Sequence, residues 1–188
     1  DPTQIDLVIV ATATPDMPVS STAAYVATEI GATNAFAYDL QGACSGFLFG
    51  MSAAAAYISS GRYNNVLLIG ADTMSSIIDY SDRATCVIFG DGAGAVLFEP
   101  NDEGLGLQDE LLRVDGKGRT YLKIEAGGSM LPASKETVSQ KQHFLHQEGR
   151  PVFKFAVSNM SAAITQVITR NGLSKDDIDF VVAHQANK

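Results

Sequence analysis

Apolar positions along this chain follow two rhythms, and their alternation predicts the architecture. Leu7-Val-Ile-Val-Ala11 and Val66-Leu-Leu-Ile-Gly70 are unbroken apolar runs, the pattern of strands buried on both faces in a parallel sheet. Residues 21–30 have helical composition and stop at Gly31, a residue suited to the left-handed turn that closes a helix. Residues 34–40 read as a strand, and an alanine-rich helix follows over 47–58, ending near Ser59-Ser-Gly61. Two more strands are expected at 86–89 and 95–98, around Gly90-Asp-Gly-Ala-Gly94. Strand, helix, strand, helix, strand in short order implies a layered α/β fold with a mostly parallel sheet.

Residues 101–150 break the rhythm. They are rich in glycine and charge, with short apolar stretches only, and read as a connection with small excursions of structure. Order resumes at Pro151, expected as the first helical residue, and Phe153, Val157, Met160, Ile164, Val167 and Ile168 recur at helical spacing. Asn171-Gly172 ends that helix. A turn with a capping-box pattern starts at Ser174, then a strand is expected at 178–183, with His184-Gln-Ala-Asn187 after it. Thr3-Gln-Ile-Asp6 runs into the first strand much as Asp176-Asp-Ile-Asp179 runs into the last, which suggests a duplicated half-domain.

Composition narrows the function. The chain has 188 residues, 46% of them hydrophobic, and a net charge of −8. That acidity, without clustered Lys and Arg, argues against nucleic acid as a partner. Two cysteines in unlike surroundings make no disulfide framework. No apolar segment approaches the roughly 18 residues of a membrane span, and no signal-like segment opens the chain. A soluble cytoplasmic protein is expected. Both ends fall beside predicted strands, so a fragment of a longer protein is expected too.

Cys44 stands where a strand gives way to a helix, in Gly42-Ala-Cys-Ser-Gly-Phe47. Unpaired amides and the helix dipole favour negative charge there, so the thiol is expected to ionise readily and act as a nucleophile. Position alone leaves a buried packing role equally open. Cys86, in an apolar β-branched run, reads as structural. His184 follows a strand end, where ligands gather in parallel α/β sheets, and is either a catalyst or a structural hydrogen-bonder. The glycines of 90–94 lie between two strands with no helix behind them, so a tight turn and close backbone packing are expected rather than a phosphate site. His143 and His146 lack companion ligands, and no metal is expected.

With these segments in place, the chain resembles the β-ketoacyl-acyl-carrier-protein synthase III family of the thiolase superfamily. The matching residues are Gly42-Ala-Cys-Ser-Gly-Phe47, Asp82-Arg83 with Ile88-Phe-Gly-Asp-Gly-Ala-Gly-Ala95, Val152-Phe-Lys-Phe-Ala-Val157, and His184-Gln-Ala-Asn187. The resemblance implies a thiolase-like layered αβαβα fold of two similar halves, incomplete here at both ends, and a homodimer. Residues 1–100 would be most of the N-terminal half, 101–150 a connecting region, and 151–188 the start of the C-terminal half.

The reaction implied by the resemblance has two stages. Cys44 takes the acyl group of acetyl-CoA or another short acyl-CoA, with the Cys44 backbone N–H in the oxyanion hole. Malonyl-acyl carrier protein then loses carbon dioxide, His184 donating to the thioester oxygen, and the carbanion attacks acyl-Cys44 to give a 3-ketoacyl carrier protein. A third catalytic residue, an asparagine, would lie beyond Lys188. No cofactor is implied beyond the CoA thioester as substrate. Arg150, Phe153 and Met17 would line the substrate and CoA tunnel, and Lys154 and Lys188 would meet the acidic carrier protein. A flexible Met17 predicts some tolerance of primers beyond acetyl, butyryl or branched acyl groups among them. Competing expectations are polyketide or secondary-metabolite initiation, a hydroxymethylglutaryl-CoA synthase-like reaction, and a non-catalytic acyl- or partner-binding fragment.

Overall fold

The computed structural model describes residues 1–185. The chain divides into two compact units. The first comprises 1–73 and 91–112, the second 74–90 and 113–188.

In the first unit, β1 (Leu7–Ala11), α1 (Thr22–Glu29), β2 (Phe36–Leu40), α2 (Gly46–Ser59), β3 (Val66–Asp72) and β4 (Gly92–Phe98) build one sheet of order β2-β1-β3-β4. β1 runs parallel to both neighbours, while β4 pairs antiparallel with β3. The central strand explains its own sequence. Leu7 and Ile9 join Val66, Leu68 and Ala54 on the α2 side, and Val8 and Val10 join Ala23, Ala27 and Ala32 on the α1 side. A strand covered on both faces must be apolar throughout.

Helix ends follow local chemistry. Ser21 caps α1 by accepting from the Ala24 N–H, and Asp39 of β2 accepts from the Thr22 and Ala23 amides at the same helix start. Gly31 closes α1 at φ +80°, with the Gly31 and Ala32 amides reaching back to Thr28 and Ala27. Gly172, at φ +68°, closes the long helix of the second unit in the same way.

The second unit contains β5 (Leu122–Ile124), α3 (Lys135–Ser139), β6 (Leu145–Gln147) and α4 (Gly149–Arg170), with β5 and β6 antiparallel. The small excursions expected over 101–150 are present. Helix α4 starts two residues before Pro151, which occupies a first-turn position where a missing N–H costs no internal bond. Lys141 pairs with Asp79 at 2.7 Å, and the Leu145 N–H donates to Ile77 at 2.8 Å, which joins 74–90 to the rest of this unit.

Two expected strands do not form. Residues 86–88 are turns and Phe89 is irregular, because the Thr85 and Cys86 amides donate to Asp82 and the Ile88 amide to Thr85, while the Asp82 carboxylate takes the Ala84 N–H and Thr85 hydroxyl. Local bonding satisfies the backbone before a ladder can. Residues 178–183 are irregular, and no strand pairs with them among the described residues. Phe180 is 88% and Val182 98% exposed. An apolar run becomes a strand only where a partner strand takes its backbone bonds.

Candidate active site

The parallel strands β2, β1 and β3 end at Leu40, Ala11 and Asp72, on one edge of the first unit. Cys44 follows the end of β2, in a 3-10 turn Ala43–Ser45 that runs directly into α2. Glycine makes this junction possible. A Cβ at Gly42 would sit 2.7 Å from the Phe49 ring and 2.9 Å from the Gly46 Cα. Gly46, Gly50 and Ala54 are the buried residues of α2 and form one stripe at i, i+4, i+8. A Cβ at Gly46 would meet Ala11 at 3.3 Å, and one at Gly50 would overlap the Leu68 side chain. The helix therefore lies close on β1 and β3, and the cysteine turn is held at the sheet edge.

Ala43 adds a constraint that composition does not signal. Its φ is +45°, in the left-handed region that alanine avoids, immediately before the thiol. Backbone strain of this kind persists where surrounding structure over-determines it, and it clusters at functional turns.

Cys44 is exposed. Loss of hydration around the sulfur pushes its thiol above the ordinary value, the Asp72 carboxylate adds to the rise, and the Cys44 backbone N–H opposes both. The residue is open to solvent overall, so the lost hydration reflects crowding beside the sulfur and not enclosure. The expectation of a readily ionised thiol is therefore corrected. Cys44 precedes the N-cap Ser45 and stands outside the first turn of α2, where the dipole effect fades.

Met17 lies in the loop after β1, 57% exposed. Cys44 and Met17 belong to the first unit, and Arg150, Phe153, Lys154 and His184 to the second. Within α4, Arg150, Phe153 and Lys154 share a face at i, i+3, i+4 and are all exposed. His184 is exposed in irregular chain. Asn187 and Lys188 lie outside the described residues.

Cys86 is half-buried among turns. His143 is bonded through Nε2 to the Thr137 hydroxyl at 2.9 Å, whereas His146 is exposed on β6. Among the described residues no three His, Cys, Asp or Glu side chains form a metal cluster, and no helix is long and apolar enough to cross a membrane. Gly92 and Gly94 lie within β4, and a Cβ at Gly90, Gly92 or Gly94 would meet nothing within 4 Å. Close packing thus does not account for these glycines.

Sequence reasoning missed Ala43 and the polar residues at the strand ends. Asp72 accepts bonds from Thr12, Ala13 and Thr14. Its position at the end of an apolar run was the one available signal.

A cysteine on a glycine-packed helix at the carboxyl edge of a parallel sheet is the arrangement of a thiolase-like chain, and solved structures agree. The 3-oxoacyl-[acyl-carrier-protein] synthase III of Aquifex aeolicus superposes with a TM-score of 0.86 at 33% identity, over 99% of this chain and 56% of that one. The β-ketoacyl-[acyl carrier protein] synthase III of Thermus thermophilus gives 0.82 at 40% identity, over 93% and 53%. The profile of 3-oxoacyl-[acyl-carrier-protein] synthase III matches residues 38–116. Bacteroides thetaiotaomicron β-ketoacyl-[acyl-carrier-protein] synthase III 2 is 56% identical over 100% of this chain, and the Phocaeicola vulgatus relative is 54% identical. The chain belongs to the β-ketoacyl-[acyl-carrier-protein] synthase III family. It spans 56% of the length of each of these two relatives.

Proposed function

We propose that this chain carries the nucleophile of an acyltransferase that initiates fatty-acid synthesis. The acyl group of acetyl-CoA or another short acyl-CoA passes to Cys44, and condensation with malonyl-acyl carrier protein, with loss of carbon dioxide, gives a 3-ketoacyl carrier protein. The observation that carries this reading is Cys44 itself: an exposed thiol after the left-handed Ala43, in a family member 56% identical to a named synthase.

The chemistry suits a thiol that keeps its proton at rest. The Cys44 sulfur attacks the thioester carbonyl, the bond to the CoA sulfur breaks, and the Cys44 proton leaves with CoA as its free thiol. The Cys44 backbone N–H supports the oxyanion of that step. His184 donates a hydrogen bond to the malonyl thioester oxygen as enolate charge develops. Arg150, Phe153 and Met17 contact the CoA and acyl chain, and Lys154 and Lys188 the acidic carrier protein. The shared face of Arg150, Phe153 and Lys154 on α4 supports their grouping. The protein acts in the cytoplasm as a homodimer, with no cofactor besides its thioester substrates.

Intact-protein mass spectrometry after incubation with acetyl-CoA tests the first stage. One acetyl adduct mapping to Cys44 is expected, lost in Cys44→Ser and retained in Cys86→Ser. No adduct, or one on another residue, rejects the reading. His184→Ala is expected to lose malonyl decarboxylation while keeping Cys44 acylation, and equal loss of both rejects the role given to His184.

A further inference from the structure

The loop between β1 and α1 is fastened at both ends by carboxylates from the strands on either side of β1. At its start, Asp72 at the end of β3 receives the Ala13 N–H at 2.7 Å, the Thr12 hydroxyl at 3.2 Å and the Thr14 hydroxyl at 3.3 Å, all on Oδ1. Thr14 Oγ1 accepts the Thr73 N–H at 2.8 Å, and Thr12 Oγ1 the Thr14 N–H at 3.0 Å. At its end, Asp39 of β2 takes the Ser21 hydroxyl at 3.0 Å and the Thr22 and Ala23 amides at 2.9 and 2.7 Å. The Asp16 N–H donates to Thr22 Oγ1 at 3.2 Å and closes the loop across its base. Strand register brings these groups together, since Val10 pairs with Asp39 and Asp72 stands two residues beyond the Ala11–Gly70 pair.

Between the fastenings, residues 15–20 form an exposed arch. Its backbone is restricted throughout. Pro15 and Pro18 fix their own φ, Met17 is confined by the proline after it, and Val19 is held at φ +76°. A β-branched residue in the left-handed region is a genuine outlier, and such strain persists only where the surroundings over-determine the backbone. An exposed arch has no core to do that. The two carboxylates and the Asp16–Thr22 bond supply it instead.

We propose that Asp39 and Asp72 are positioning residues, a two-ended clamp that holds the 15–20 arch in one conformation and, through Met17, sets which acyl chains the protein accepts. The selectivity rests on the acyl contact proposed for Met17, whereas the clamp itself does not.

The test compares Asp72→Asn, which keeps an acceptor oxygen in the place of Oδ1, with Asp72→Ala, which removes it. Hydrogen exchange of peptides spanning residues 12–23 is expected to accelerate roughly tenfold in Asp72→Ala and to stay near wild type in Asp72→Asn. The ratio of Cys44 acylation rates with butyryl-CoA and acetyl-CoA is expected to rise about three- to tenfold in Asp72→Ala, because a loosened arch admits the longer chain, and to return to wild type in Asp72→Asn. Unchanged exchange in Asp72→Ala overturns the clamp. A purely structural role would lower both acylation rates together, and that unmoved ratio overturns the selectivity.

Should Asp72→Ala fail to fold, Thr22→Val decides the matter. It removes the acceptor of the Asp16 N–H and leaves the Asp39 bonds to the backbone in place. Faster exchange and a raised ratio are expected again, and wild-type values of either overturn the inference. Failure of the two ideas is distinguishable. Wild-type protein that takes no acyl group from either thioester sinks the proposed function, and exchange alone then decides the clamp. Acylation with an unmoved ratio leaves the function standing and overturns the inference.

Discussion

Helices α2 and α4 carry similar promise in sequence and meet opposite fates. Helix α2 buries Gly46, Gly50 and Ala54 against β1 and β3, so its smallest residues lie deepest. Helix α4 has 22 residues and buries none of them, leaving Phe153, Phe155, Val157, Met160 and Ile164 exposed. Apolar periodicity marks a face that can be covered. Which face is covered depends on how closely a neighbour can approach, and glycine decides that for α2.

The sharpest way to break the contrast is Leu68→Ala. Leu68 is fully buried and lies under Gly50, so its truncation is expected to cost about 3–4 kcal/mol. Urea denaturation followed at the first unit would measure it, and a cost under about 1 kcal/mol would contradict close packing of α2. Gly50→Val comes next, at about 2–3 kcal/mol, since its Cβ overlaps Leu68 and a β-branched residue is a poor helix former. Native-state hydrogen exchange of the β1 and β3 amides should accelerate with it.

The second unit should answer to charge. Asp79 is held down to about 2, by its bond from Lys141 first and then by the Ser81 hydroxyl and amide. A carboxylate with a depressed folded value contributes stability above its unfolded value near 4, and that contribution is lost as pH falls from about 4 to about 2. Lys141 is well exposed, so solvent screens the pair and the effect is modest. Asp79→Asn should flatten that acid limb, as seen by thermal melts at stepped pH. Smallest of all, Met160→Ala on α4 of this chain is expected to change stability by no more than about 0.5 kcal/mol, and a loss like that of Leu68→Ala would erase the comparison.

What was legible in the sequence follows the same division. β1 and β3 could be read because two-sided burial leaves an unbroken apolar run, and α1 because Ser21 and Gly31 mark its ends. Residues 86–89 and 178–183 have equally apolar sequences. The first is captured by local bonds to Asp82, and the second has no ladder partner among the described residues. Periodicity reports what a segment could bury and is silent on both. The place of Cys44 was legible because a strand-to-helix junction is a local signal. Its raised proton affinity was not, since lost hydration around the sulfur dominates it, with a smaller part from Asp72 at the end of β3, and both depend on tertiary packing.

Ala43 has a consequence for anyone evolving this chain. A left-handed alanine costs roughly 1–2 kcal/mol that glycine would not incur. A laboratory screen for heat resistance alone should therefore favour Ala43→Gly, and the same change would loosen the turn that aims the sulfur. Sequences selected for durability and those selected for turnover should part company first at this position.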